Sequence, residues 1–299
     1  MECFSPVSLW SQGIRVPCGH CPACLANRQA AWMSRLAAQM QSSESSFFVT
    51  LTYDDEHLPF PDDWVYNHWS HLSLDPYLPC VYPPHITKFH KDLRKRLQQG
   101  FVICRTPPFV GQKVDLPHLG KMSFYLTSEY GPEGSRPHYH AVYFNLASDV
   151  YSAEVLIRET WKYGFVQVAE CNMRTINYVT KYLIENKLQP QEIPGMVPPF
   201  ARMSKGLGLS LLTPNLLDWW RSSPDNRCYV PEHGSKQKLS RYLKEKIFDD
   251  DMKARIQDKY KALHPARPMS FKELLRQQHL QEEYVRQRRN LLQKKSVLK

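Results

Sequence analysis

The stretch from Met122 to Phe144 constrains this chain more than any other. Met122-Ser-Phe-Tyr-Leu-Thr-Ser-Glu129 and His138-Tyr-His-Ala-Val-Tyr-Phe144 are rich in aromatic and β-branched residues, the composition of strands. Between them, Tyr130 to Pro137 carries two glycines and two prolines, which demand a turn. The two runs are therefore expected to fold back on each other as an antiparallel pair, and the chain must be built around a sheet.

Other segments add to this. Phe47-Phe-Val-Thr-Leu-Thr-Tyr53 reads as a buried strand and Gly164 to Val168 as a short one. Helical periodicity runs through Leu25 to Met40, His85 to Gln99 (ended by Gly100), residues 152–162, and Arg174 to Lys187. Residues 54–84 have no clear period and read as a long loop or insertion. These elements divide the chain into a Cys-rich segment and helix at 1–45, a catalytic core at 46–190, a Pro-rich extension at 191–239, and a basic helical region at 240–299 broken near Pro265 and Pro268.

In a strand, residues i and i+2 face the same way, so His138 and His140 present two imidazoles side by side. Glu129, ending the preceding strand, is the natural third ligand. Two neutral imidazoles and a carboxylate, with positions left for water and phosphate oxygens, suit Mn²⁺ or Mg²⁺. Taken alone, a His-x-His pair is also compatible with ordinary strand composition.

Tyr178 and Tyr182 stand one helical turn apart, with Lys181 bordering the same face. A tyrosine hydroxyl can attack a phosphodiester and become linked to it, and a metal and a lysine can stabilise the charge that develops. Paired tyrosines on a helix more commonly serve packing, so this reading depends on the histidines upstream. No GxxxxGK[ST] loop for a nucleotide is present. A formal net charge of +10 points to a polyanionic partner.

Three motifs in this order resemble those of the HUH (His-hydrophobic-His) replication initiators: Phe47 to Tyr53, Arg136-Pro-His-Tyr-His-Ala141, and Tyr178-Val-Thr-Lys-Tyr182. The wording is most similar to the initiators of small single-stranded DNA phages, the Microviridae, particularly the gokushovirus branch, and Glu129-Tyr-Gly131 and Cys18-Gly-x-Cys-x-x-Cys24 add to it. The resemblance implies an α+β fold with an antiparallel central sheet of about five strands and packed helices. It implies a site-specific single-stranded DNA endonuclease with strand-transfer activity, in which His138, His140 and Glu129 hold the divalent ion and Tyr178 and Tyr182 are paired nucleophiles. Lys181 would assist. Rolling-circle replication of phage DNA, with host helicase and polymerase as partners, follows from the same resemblance.

Cys18, Cys21 and Cys24 have CxxCxxC spacing, and Cys3 can complete a Cys₄ set for structural Zn²⁺; reduced thiols without metal are the alternative. His20 is a poorer ligand because it sits between them. Cys80, Cys104, Cys171 and Cys228 have no spacing logic. Arg28, Arg35 and the basic helix carrying Lys88, Lys91, Arg94, Lys95 and Arg96 are either phosphate contacts or a solvated charged face. Trp64, Tyr66 and Trp69 can stack on bases, although such residues more often cover a core. The basic tail at Arg286 to Arg289 and Lys294-Lys295 can bind nucleic acid or lie in solvent. No secretory signal and no membrane-length apolar run are seen, so the chain is expected in the cytoplasm, that of a bacterial host if it is a phage protein. Two alternatives stay open: a two-tyrosine HUH transposase, and a zinc-stabilised nucleic-acid-binding protein without catalysis.

Overall fold

In the computed structural model, residues 3–107, 110–131, 136–188, 195–232 and 235–297 are described. In chain order the elements are β1 (Val7–Leu9), β2 (Ile14–Val16), α1 (Pro22–Gln41), β3 (Ser46–Thr52), α2 (Asp63–His68), α3 (Pro83–Gln99), β4 (Phe101–Ile103), β5 (Lys113–Asp115), β6 (Ser123–Tyr130) and β7 (Pro137–Phe144). They continue with α4 (Val150–Thr160), β8 (Val166–Glu170), α5 (Met173–Leu188), β9 (Ala201–Met203), α6 (Pro214–Ser222), β10 (Tyr229–Glu232), β11 (Ser235–Lys238), α7 (Arg241–Ile247), α8 (Asp250–Leu263) and α9 (Phe271–Val297). The chain forms two compact units: Trp32–Leu211, and a second made of Met1–Ala31 with Leu212–Lys299.

The larger unit has the expected α+β architecture. Its five-stranded sheet runs β8-β3-β7-β6-β9, with every neighbouring pair antiparallel. The β6–β7 hairpin pairs Glu129 with His138 and Thr127 with His140, and β3 places Thr50 opposite His140 on the other side.

Alternation along the strands sends side chains to two separate cores. Phe47, Val49, Leu51, Tyr139, Ala141 and Tyr143 join Ile86, Phe89 and Leu93 of α3 and Val155 and Leu156 of α4 on one face. Tyr125, Val142 and Phe144 join Leu36 of α1 and Ile176 and Val179 of α5 on the other, with Phe48 packed against them. Both faces of β6 and β7 are therefore covered, which accounts for their nearly continuous burial. Each fully buried aliphatic or aromatic side chain contributes about 2 kcal/mol through removal from water. Buried phenols keep partners: Tyr143 bonds His90 Nε2 at 2.8 Å, and the Tyr139 hydroxyl accepts from the Tyr82 N–H at 2.8 Å.

Two expectations are corrected here. Residues 54–84 are no open loop: they contain α2, bury Val65, Cys80 and Val81, and pack Trp64 and Trp69 against the α3–α4 core. Arg35 is not available to phosphate, because it is buried, donates twice to the Leu207 carbonyl at 3.1 and 2.7 Å, and stacks on Trp32.

The second unit holds the β1–β2 and β10–β11 hairpins and helices α6 to α9. No helix of the described residues is long and apolar enough to cross a membrane.

Candidate functional site

Because β7 alternates, His138 and His140 leave the sheet on the face shared with Val142 and Phe144, the face that α5 covers. His140 is buried, and its Nε2 lies 2.6 Å from Glu129 Oε1 while Nδ1 lies 3.0 Å from Thr50 Oγ1. An imidazole nitrogen that close to a carboxylate needs a shared positive bridge, here a proton.

His138 Nδ1 lies 2.7 Å from the Arg136 carbonyl oxygen. A carbonyl only accepts, so Nδ1 carries the proton and Nε2 keeps its lone pair, the tautomer that a metal ligand requires. Burial holds the His138 imidazole below its ordinary pKa, which favours the neutral form. Arg136 itself donates to the Tyr53 carbonyl at 2.9 Å and pairs with Asp55, which ties the turn to the end of β3.

Gly131 explains how the ring fits. A Cβ at this position would lie 2.7 Å from His138 Cε1 and 3.2 Å from Nδ1, so only glycine leaves room.

Tyr178 is exposed on α5, and its ring meets His140 edge to face with centroids 5.0 Å apart at 86°. It also meets Phe48 at 5.8 Å. Lys181 is half-buried on the same helix. Tyr182 belongs to α5 by its backbone, but its side chain lies outside the described residues.

The structure thus joins Glu129, His140 and Tyr178 directly and keeps His138 on their face. These residues do not converge as tightly as the cysteines do. Among the described residues, Cys3, Cys18, Cys21 and Cys24 are the one group of three or more His, Cys, Asp or Glu residues whose ligand atoms lie within 4.8 Å of one another. The cluster can hold a metal ion. Cys3 Sγ is 3.5 Å from Cys18 Sγ and 3.8 Å from Cys21 Sγ. Burial opposes ionisation of Cys21, but N–H groups of Cys24 and Phe4 favour its thiolate more strongly and bring it down to about 7. His20 stays outside the cluster, with Nδ1 2.9 Å from the Cys18 carbonyl.

The basic residues separate from the site. Helix α3 covers the opposite face of the sheet, so Lys88, Lys91, Arg94 and Lys95 do not face the histidines. Lys88 pairs with Asp92, and Arg96 donates to the Glu159 carbonyl. Arg28 is exposed.

Sequence reasoning missed the Thr50–His140 bond and the fit of Gly131 under His138. Register in the first case and a close backbone approach in the second are the relevant signals, and only the Glu129-Tyr-Gly131 wording hinted at the latter.

A five-stranded antiparallel sheet with a His-x-His strand at its centre and a tyrosine-bearing helix over that face has the layout of the HUH-type replication proteins. The sequence profile of the replication-associated protein ORF2 family matches residues 46–187. The chain is 30% identical over 260 residues to the replication-associated protein ORF2 of Spiroplasma virus 4, covering 82% of this chain and 70% of that protein. It is 25% identical over 269 residues to replication-associated protein VP4 of Bdellovibrio phage phiMH2K, covering 85% and 70%. A shorter match, 26% over 184 residues, covers 56% of this chain and 37% of replication-associated protein ORF4 of Chlamydia phage 1. The chain belongs to this family of phage replication-associated proteins, the Microviridae-like rolling-circle initiators.

Proposed function

We propose that this protein starts rolling-circle replication by nicking single-stranded origin DNA through tyrosine transesterification, and later rejoins the strand to circularise unit-length genomes. The observation that carries this reading is the contact of Tyr178 with His140 on the sheet face that also bears Glu129 and His138.

In the reaction, the Tyr178 oxygen attacks the scissile phosphorus in line while the bond from phosphorus to the 3′-oxygen breaks. The phenol loses its proton and the departing 3′-oxygen gains one, leaving a 5′-phosphotyrosine and a free 3′-hydroxyl. One ester replaces another, so the linkage energy is kept and a later 3′-hydroxyl reverses the step. Tyr182 is the second nucleophile, and Lys181 offsets charge on the phosphate.

His138, His140 and Glu129 fit a divalent ion: the donors share one face, His138 has the required tautomer, and the Glu129–His140 contact already needs a positive bridge. When bound, Mg²⁺ or Mn²⁺ supplies charge stabilisation at the phosphate. The four cysteines hold a structural Zn²⁺. Single-stranded DNA is the partner in the cytoplasm of a bacterial host, whose helicase and polymerase open and copy the duplex.

The test is incubation of the full chain with single-stranded origin DNA and Mn²⁺, followed by denaturing gels and peptide mapping. A protease-sensitive adduct that survives boiling in detergent and maps to Tyr178 or Tyr182 is the expected result. Salt-sensitive binding with no adduct would reduce the protein to a non-catalytic binder.

A further inference from the structure

The cysteine cluster has a role of its own in the fold, separate from the chemistry of the sheet. A tetrahedral ion with Zn–S bonds of about 2.3 Å separates its sulfurs by about 3.8 Å. Cys3 to Cys21 is 3.8 Å and Cys3 to Cys18 is 3.5 Å. Backbone N–H groups of Phe4, Cys18 and Cys21 already point at the Sγ atoms of Cys21, Cys3 and Cys18, at 3.4, 3.3 and 3.3 Å. Such bonds hold thiolate ligands in place around a metal.

The segment between Cys3 and Cys18 is the β1–β2 hairpin, with three-residue strands and Ile14 as its buried strand residue. A hairpin this small does not hold itself together in water. Yet it carries the attachments of the chain's C-terminal part. The Ala266 N–H donates to the Gly13 carbonyl at 2.9 Å, and the Arg15 N–H donates to the His264 carbonyl at 2.8 Å. The Arg15 guanidinium pairs with Glu273 at 3.2 Å, and Gln277 of α9 donates to Ser5 Oγ at 2.6 Å. Helix α8 buries no residue fully, and Phe271, Leu274 and Leu275 at the start of α9 are exposed. These helices are tied down by the hairpin rather than by a core of their own.

Resting on the zinc reading above, we infer that Cys3, Cys18, Cys21 and Cys24 bind one Zn²⁺ whose tetrathiolate closes the Cys3–Cys18 loop, and that this closure holds the hairpin as the docking platform for the α8–α9 junction. Each coordinating thiol gives up its proton as the ion binds, and no oxidation occurs. Closing the loop removes chain entropy that the hairpin's own contacts do not offset.

The test uses the full chain, purified without added metal. Elemental analysis should find one zinc per chain, absent in Cys3→Ser. Stripping zinc from the wild-type protein with a thiol-blocking mercurial and chelator, then removing both, should speed amide exchange at residues 260–280 at least tenfold. Exchange in β6 and β7 should stay unchanged, and added Zn²⁺, but not Mg²⁺, should restore protection. Iron in place of zinc, a Cys3–Cys18 disulfide, or rapid alkylation of all four thiols in the untreated protein overturns the zinc site itself. Stoichiometric zinc whose removal leaves exchange at residues 260–280 unaltered overturns the platform alone. The wild-type stripping experiment decides the matter even if Cys3→Ser does not fold.

Discussion

The phenol ring of Tyr178 stands edge to face against the imidazole of His140, with centroids 5.0 Å apart. This contact brings together a residue of α5 and one of β7, and it leaves the tyrosine exposed to an incoming strand. Under the proposed chemistry, Tyr178→Phe lowers covalent adduct formation without abolishing it, because Tyr182 can still attack. The Tyr178→Phe, Tyr182→Phe double variant loses adduct at least 100-fold. Quantitative denaturing gels with labelled origin DNA measure both, and normal adduct from the double variant removes the nucleophile assignment.

His138 and His140 serve chemistry rather than affinity in this scheme, since phosphate contacts supply most nonspecific binding. His138→Ala or His140→Ala therefore suppresses nicking at least 100-fold while DNA affinity at fixed salt changes less than threefold. Glu129→Gln keeps the shape but removes the negative charge beside His140, and raises the Mn²⁺ concentration for half-maximal nicking on the order of 10-fold or more. Metal titrations of nicking, set beside filter binding, separate the effects. Parallel loss of binding and nicking in the histidine variants would make them structural.

The sheet was readable because each strand carries its own pattern. The β6–β7 hairpin follows from two apolar runs around a Gly/Pro turn, and the shared direction of His138 and His140 follows from strand alternation. What escaped was set by distant partners. Ala201–Met203 becomes the fifth strand only because β6 offers it a free edge, which three residues cannot advertise. Arg35 sits on a helix whose local pattern is compatible with solvent, but the Leu207 carbonyl claims it. Residues 54–84 lack a period, and their burial of Val65, Cys80 and Val81 rests on α3 and the sheet. Likewise, the Ile14–Pro265 bridge joins chain ends that no local motif connects.

Gly131 and His138 give a third prediction. The Gly131 N–H donates to the Arg136 carbonyl at 2.9 Å, the same oxygen that receives His138 Nδ1. Adding a methyl at Gly131 drives it into the His138 ring, which must swing away from that carbonyl. Gly131→Ala should lower nicking at least 10-fold and weaken Mn²⁺ dependence, while circular dichroism and thermal midpoint stay close to wild type. Full nicking by this variant would show that the His138 ring position carries no weight.

His90 provides a test of the fold that is independent of the site. It is buried on the α3 side of the sheet, stacked on Phe124 with centroids 3.9 Å apart and bonded to Tyr143. Burial, aided by Arg94 and Arg202, drives its pKa down to about 3. The unfolded chain takes up a proton near pH 6.5, whereas the folded chain resists it. The stability that neutral His90 contributes is therefore complete above pH 6.5 and is lost as the pH falls toward 3. Within that window the loss is about 1.4 kcal/mol per pH unit for one proton. His85, lowered to about 4 mainly by burial, steepens the slope over a narrower range. Urea unfolding at pH 6.5, 5.5 and 4.5 should show falling midpoints, and His90→Gln, although less stable at pH 7, should flatten the dependence by about one proton. An unchanged slope in His90→Gln would mean that His90 is not the buried neutral group that opposes acid unfolding.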